Sequence, residues 1–242
     1  MAEICALVAA AGRGSRAGLP YPKTLFKLQG KPILLRIIEL MSAYDMTPTV
    51  IVSPDGENSI RECLAAAQCD AHLVVQPEPK GMGDAVLSFE QSPAYSAAQH
   101  ILLIWGDIPF IQPETIAVVV ERHLMHGNDF TFATRMVDAA YTVVSRNVNG
   151  NIIDVVETRE SGITDPQPGE RDIGLFLFRK QIVFPVLREE LPRKWGANTG
   201  EHGFLYIIGH LAARGYQIEA LPVATALDLV SLNSMKDVCD FL

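Results

Sequence analysis

Three cations crowd one glycine-rich turn. In "AAAGRGSRAGLPYPKTL", residues 9–25, Arg13, Arg16 and Lys23 surround Gly12 and Gly14 directly behind a short apolar run. Glycine tolerates positive φ and lets backbone N–H groups close on phosphate oxygens, so the turn reads as a phosphate cradle. A lone G-x-G is a common false lead, and Gly18 even completes a dinucleotide-like spacing. The continuation argues against a dinucleotide fold, which starts a helix inside the glycines with its N-terminus on the pyrophosphate. Pro20 and Pro22 each remove a donor and clash with a preceding turn. No lysine stands at the G-x-x-x-x-G-K-[ST] spacing. Three cations on one loop suit a reaction in which charge builds on a triphosphate. Solvated surface charge is the ordinary fate of Arg and Lys, and for Arg13 both readings stay open.

Two further polar residues sit where such chemistry needs them. Gln76, in "VVQPEPKGMGDAV" (74–86), carries an amide donor and acceptor side by side. That pair matches uracil, or cytosine once the amide flips, so it argues for a pyrimidine. Asp107 follows the apolar run "ILLIWG". A carboxylate at the carboxyl end of a buried strand can hold Mg²⁺ against phosphates; a turn or cap aspartate is the competing reading of "GDIP". Other site types fare worse. His123 and His126 form H-x-x-H at i,i+3 without a nearby cysteine or acid, poor evidence for zinc. Neither G-x-S-x-G nor H-E-x-x-H occurs.

The elements that must carry these residues alternate. "ICALVAA" (4–10), "PTVIVS" (48–53), "AHLVVQ" (71–76) and "HILLIWG" (100–106) read as buried strands. Residues 32–44, 57–68, 83–92 and 113–127 show helical spacing, the last with a helix-start proline and a terminal glycine. This βαβα order predicts a mostly parallel sheet covered on both faces. After Gly127 the rhythm changes to strands at 129–136, 141–147, 151–157 and 171–180, with "NVNG" as a hairpin signal. Helices at 181–191, kinked at Pro185, and at 202–215 follow, with a last helix over 230–242. The chain reads as one domain over 1–242, with a nucleotide-binding half to about residue 127 and an acceptor-binding half from about 128. The apolar "TIAVVVE" suits either the core or a dimer face, so an oligomer is possible.

The totals set outer limits. The 242 residues are 48% hydrophobic and carry a net charge of −8, which leaves no electrostatic footprint for nucleic acid. No apolar run approaches the roughly 18–20 residues that span a bilayer, and the start carries Glu3 rather than a basic cluster, so a cytoplasmic protein is expected. The four cysteines form no C-x-x-C pair and read as buried thiols.

The stretch "LVAAAGRGSRAGLPYPKTLFKLQGKPIL" resembles the signature A-A-G-x-G-x-R-x(6)-P-K-x-L, then G-x-P-[IM]-L, of the sugar-nucleotide pyrophosphorylases. It is most similar to the uridylyltransferase domain of bacterial N-acetylglucosamine-1-phosphate uridyltransferases. The resemblance implies a Rossmann-like mixed α/β sheet with helices on both faces, here without the β-helix half of the bifunctional enzymes. It implies that Arg16 and Lys23 grip the triphosphate and its leaving pyrophosphate, and that Ala10, Ala11, Gly12 and Gly14 line the nucleotide. Gln76 would read the base, with Gly81 and Met82 beside it, where the family often has threonine at Met82. Gly106 and Asp107 resemble the family's [YN]-G-D-x-P-L, Asp107 holding Mg²⁺; Asp228, in "ATALDLVSLNSMKDV", would be the second metal ligand or else a helix cap. "NGNIIDVVE" and "RDIGLFLF" resemble the acceptor strands and assign Glu157 and Asp172 to the acceptor. Glu201, in "GEHGFLYIIGHL", matches the family only in part. Two departures stand out: Asp172 replaces an asparagine, and Thr142 replaces a glycine that would leave room for the acceptor's edge.

The expected activity is transfer of a nucleotidyl group, with UTP favoured, to a sugar 1-phosphate with release of pyrophosphate and with Mg²⁺ as cofactor. The partners are then an NTP and a phosphorylated small molecule, with neither nucleic acid nor membrane. A cytidylyltransferase for an acceptor such as phosphocholine, a guanylyltransferase, and a non-catalytic nucleotide-binding relative stay open.

Overall fold

The computed structural model describes residues 3–12, 14, 17–163 and 165–241. In chain order it contains β1 (Ile4–Ala9), the small antiparallel pair β2 (Lys27–Leu28) and β3 (Lys31–Pro32), α1 (Ile33–Met41), β4 (Thr49–Val52), α2 (Glu57–Ala66) and β5 (His72–Val75). Then come α3 (Met82–Ser88), β6 (His100–Trp105), α4 (Pro113–His126), β7 (Phe130–Val137), β8 (Thr142–Arg146), β9 (Ile152–Glu157), β10 (Gly169–Arg179), α5 (Lys180–Arg188), α6 (Tyr206–Ala213) and β11 (Ile218–Leu221). Seven strands form one sheet in the order β11-β7-β10-β6-β1-β4-β5, all parallel except β10. The mixed α/β sheet flanked by helices is the expected class, and strands from both halves of the chain share it.

Near-continuous apolar strands dictate this layering, because both faces must be covered. Along β1 the side chains alternate between two cores. Ala6 and Val8 join Ile33 and Ile37 of α1 on one face. Cys5 and Leu7 join Phe89 and Phe204 on the other. Helix α4 starts on Pro113 and stops at Gly127, whose φ of 64° gives the left-handed C-terminal turn. Its "TIAVVVE" stretch points Ile116, Val119 and Val120 into the core.

The antiparallel β10 carries the irregularity that matters most. Its register with β7 shifts between Asp172 and Phe176, and Gly174 sits there at φ +80°. A Cβ on Gly174 would lie 2.5 Å from Ile108 Cδ1 and 2.9 Å from the Trp105 ring. The bulge therefore makes room for Trp105 at the end of β6. Strands β8 and β9 form a separate hairpin packed against β10 and α6, closed by the "NVNG" turn with Gly150 at φ 81°.

Several expected boundaries shift for identifiable reasons. The short edge strand β11 was not legible, since "IEAL" has no alternation of its own; it is set by parallel pairing with β7. Residues 202–205 do not join α6, because their backbone bonds Lys80 and Gly83 instead. The expected last helix reduces to a 3-10 stretch, Met235–Phe241, started by Asp237 accepting the N–H groups of Asn233 and Ser234. Pro185 lies inside an unbroken α5.

At the amino ends of the strands lies a buried polar chain. His100 Nδ1 and His123 Nε2 share a 2.8 Å hydrogen bond, and His123 Nδ1 bonds Thr131 Oγ1 at 2.9 Å. Burial, then the neighbouring His100, then Arg179 push the His123 ring down to about 3; burial and Arg179 lower His100 as well. Histidine in the unfolded chain takes a proton near 6.5. Below that pH the unfolded state binds more protons than the folded one, so stability present at neutral pH is lost on acidification. Each ring held fully neutral is expected to cost about 1.4 kcal/mol per pH unit below pH ~6.5. Urea unfolding across this range checks it: His123→Gln should show a shallower decline, and a slope equal to wild type would refute the assignment.

Candidate active site

A cleft of about 710 Å³ opens at the carboxyl ends of the parallel strands, where open α/β sheets place their ligands. Its floor follows from strand register. Strands β1 and β6 pair in parallel from Ile4 opposite His100 to Ala9 opposite Trp105, so both end at one level. The loop after β1 and the turn after β6 then emerge side by side. Lys23 and Asp107, 84 residues apart in sequence, form an ion pair there, and both line the cleft. The stem of Lys23 lies across Gly12, where an added Cβ would stand 3.1 Å from Lys23 Cε.

Ala11 and Gly12 line the cleft as expected, together with Ala9. Ala10 and Gly106 stand behind its surface. The N–H of Ala10 bonds Ile51 O at 2.9 Å, and that of Gly106 bonds Ala9 O at 3.0 Å. Gly14 folds the loop on itself: its carbonyl accepts the N–H groups of Ala17 and Leu19 at 2.9 and 3.2 Å. Arg13 and Arg16 lie outside the described residues.

Gln76 is buried at the cleft wall. Its Nε2 donates to Gly81 O at 3.1 Å and to Asp84 Oδ2 at 2.8 Å. Both donors are thus spent on the chain, and the amide presents its carbonyl oxygen as the group left to accept. Gly81 and Met82 line the cleft beside it. The neighbouring Gly83 serves the packing of the fold. Its added Cβ would meet Gly203 O at 2.2 Å and the His202 ring at 2.8 Å.

On the opposite wall the hairpin contributes Glu157 and Thr142. Burial pushes the Glu157 carboxyl up, and Arg159, whose Nε lies 3.1 Å from Glu157 Oε2, works against that rise. Asp172, expected at the acceptor, does not line the cleft. That carboxylate is buried behind the surface, accepting the Thr142 hydroxyl at 2.6 Å and the Gly174 N–H at 3.0 Å. Burial drives it upward, against those two bonds and Arg171. Asp172 therefore positions Thr142, which does face the cleft.

Asp228 was expected as a second metal ligand or a helix cap. It is fully buried and outside the cleft lining. Its Oδ1 accepts the Gln112 N–H at 2.7 Å; its Oδ2 accepts the Thr225 N–H at 2.6 Å and the hydroxyls of Thr225 and Thr115 at 2.7 and 3.1 Å. These bonds join the start of α4 to the C-terminal segment, and the start of the terminal 3-10 stretch is held by Asp237 instead. From that segment Ser231 and Asn233 reach the cleft, held there by the Leu232 N–H bonding Asp107 O at 2.8 Å.

Sequence reasoning missed Trp105, Arg159, Arg193, Trp195 and His202, all of which line the cleft. Trp105 had a signal, since it precedes Gly106-Asp107. The others sit on irregular backbone that no periodicity marks. Glu201, matched in part, does line the cleft, 3.7 Å from Arg159. Among the described residues no three His, Cys, Asp or Glu side chains are grouped to hold a metal by themselves, and no helix is long and apolar enough to cross a membrane.

Comparison with known proteins agrees with this architecture. The family described as "MobA-like NTP transferase domain" matches residues 6–191. The chain is 27% identical over 243 residues to the bifunctional protein GlmU of Pelotomaculum thermopropionicum, covering 98% of this chain and 51% of that protein. It is 29% identical over 223 residues to the GlmU of Streptococcus agalactiae serotype V, covering 89% and 46%. The chain thus spans about half the length of these curated relatives. A solved UDP-glucose pyrophosphorylase complexed with UDP-glucose superposes with a TM-score of 0.73 at 21% identity, over 91% of this chain and 90% of that one. A nucleoside-diphosphate-sugar pyrophosphorylase from Vibrio cholerae RC9 gives 0.72 at 18% identity, over 98% and 99%. These structures share the Rossmann-like fold.

The placement of Asp228 generates a test. Asp228→Asn puts an amide donor against N–H groups that now bond a carboxylate, at an expected cost on the order of 3 kcal/mol. Thermal unfolding should register that loss, while any effect of added Mg²⁺ on nucleotide binding should match that in the wild type. An unaltered melting temperature with weakened metal dependence would restore the ligand role.

Proposed function

The chain belongs to the MobA-like NTP transferase family, and from that premise we propose that it joins an NTP, UTP foremost, to a sugar 1-phosphate and releases pyrophosphate. The observation that carries this reading is the convergence of Gly12, Lys23, Asp107 and Gln76 on one cleft. A phosphate oxygen of the acceptor attacks the α-phosphorus; a P–O bond forms there, and the bond to the β-phosphate oxygen breaks with its electron pair leaving on pyrophosphate. A phosphate monoester is already anionic near neutral pH, so positioning and charge neutralisation do most of the catalysis.

The residues divide this work. Lys23, held at the strand ends by Asp107, offsets charge on the departing pyrophosphate, together with Arg16 of the same loop. Gly12 leaves the phosphates backbone to approach. Asp107 would hold Mg²⁺, an ion commonly bound through one or two carboxylates plus substrate phosphates rather than a protein cage. The chemistry of the cleft fits that pattern, with a single carboxylate beside the phosphate loop and no three-residue cluster among the described residues. Bound there, Mg²⁺ would supply further neutralisation of the triphosphate.

The base preference rests on Gln76. With both donors spent on Gly81 and Asp84, its carbonyl oxygen asks for a ring N–H, which uracil offers and cytosine lacks at that position. The UDP-glucose bound to a structural neighbour supports the same choice. On the acceptor wall, Glu157 and Thr142 meet the sugar, Thr142 fixed by Asp172.

Pyrophosphate release with Mg²⁺, each of the four NTPs being paired with sugar 1-phosphates and with phosphocholine, tests the proposal. UTP with a sugar 1-phosphate should give the fastest release. Silence with every pair, while an NTP still raises the melting temperature, would replace it with the non-catalytic reading. Within the active pair, Asp107→Asn should lower kcat by about 10²–10³-fold, as loss of a preorganised charge-stabilising group does. The circular dichroism spectrum should be unchanged, and a near-wild-type rate would remove Asp107 from the metal site.

A further inference from the structure

We propose that Trp195 is the platform on which the sugar ring of the acceptor stacks; this rests on the nucleotidyl-transfer reading. Trp195 lines the cleft yet is 48% exposed. The only other tryptophan, Trp105, lines the same cleft. A large apolar ring left in water is unremarkable on a loose loop tip, but this one is clamped.

The clamp has two arms. Trp195 pairs with His202 in an antiparallel bridge, and the Gly203 N–H bonds Lys194 O at 2.8 Å. His202 is in turn bonded to the base-side wall, its carbonyl accepting the Gly83 N–H at 3.0 Å. On the acceptor side, Glu160 accepts the Asn198 N–H at 2.9 Å and the Thr199 hydroxyl at 2.9 Å. Gly196 permits that approach: a Cβ there would lie 2.6 Å from Glu160 Oε2. The loop thus hangs between the two walls with its tryptophan held in place. Such preorganisation lowers the ordering cost of binding.

The groups around the ring bear on its occupant. An indole face attracts either a cation or the weakly positive C–H groups on one face of a sugar ring. Here a cation is already present, with Lys194 Nζ 5.7 Å from the Trp195 ring centroid and anchored by Glu190 at 2.7 Å. Three carboxylates alongside share one guanidinium. Arg159 lies within 3.1 Å of Glu157, 3.5 Å of Glu160 and 3.7 Å of Glu201. Paired carboxylates keep lone pairs for hydroxyl donors, so the surroundings suit a polyhydroxyl ring.

The test uses the full chain with Trp195→Ala and Trp195→Phe. With the active pair, Trp195→Ala should raise KM for the sugar 1-phosphate about 2–10-fold, the worth of an aromatic contact. KM for UTP and kcat should change little, and Trp195→Phe should restore most of the loss. An unchanged sugar KM, or phosphocholine as the best acceptor, would overturn the proposal. Direct binding separates this from failure of the transfer reading. In Trp105→Phe the remaining fluorescence comes from Trp195, and glucose 1-phosphate with N-acetylglucosamine 1-phosphate serve as probes. A saturable emission change without any turnover would keep the platform and discard the transfer. No change with either sugar, or an emission shift that follows protein concentration instead of ligand, would discard the platform.

Discussion

The in-register parallel pairing of β1 with β6 is the constraint from which the site follows. Because Ala9 stands opposite Trp105, the phosphate-type loop and the Asp107 turn leave the sheet at the same height. A slip of one residue would invert every side chain of β1 relative to its two cores, so core packing and site geometry are locked by the same register. The Lys23–Asp107 pair is its visible result. These opposite charges meet at the floor of the cleft.

The second determinant is the bulge in β10. Gly174 turns the strand so that Trp105 can fill the space, and Asp172 ties that bulge to the first residue of β8 through Thr142. Two departures from the family pattern, threonine for glycine and aspartate for asparagine, therefore meet each other in space. A buried carboxylate is costly unless bonded; the threonine hydroxyl supplies one of its bonds. The acceptor wall is rebuilt as a unit rather than changed at independent points.

The third is the segment 193–203, which belongs to no regular element. Its backbone bonds to Lys80, Gly83 and Glu160 join the base-side wall to the hairpin. Gly83 and Gly196 are required by the closeness of that packing, since a methyl group at either would occupy space already filled by backbone or carboxylate. The cleft is consequently shaped by loop contacts as much as by the sheet.

The sequence by itself determined the elements whose signals are local. Apolar runs bounded by turn residues specify β1, β4, β5 and β6, and proline and glycine punctuation specifies α4. Glycines followed by Lys23, and an aspartate after a buried strand, single out candidates for phosphate and metal chemistry because cations and close backbone suit phosphates and a carboxylate suits a cation. Tertiary structure decided everything that depends on where side chains end up. Asp228 and Asp172 were spent on buried hydrogen bonds, the donors of Gln76 were committed to Gly81 and Asp84, and Trp195 was brought to the acceptor wall. The physical reason is that a carboxylate or amide takes its role from its partners, and the partners that place Asp172 and Asp228 include residues 30 and 116 positions away, beyond the reach of any local pattern.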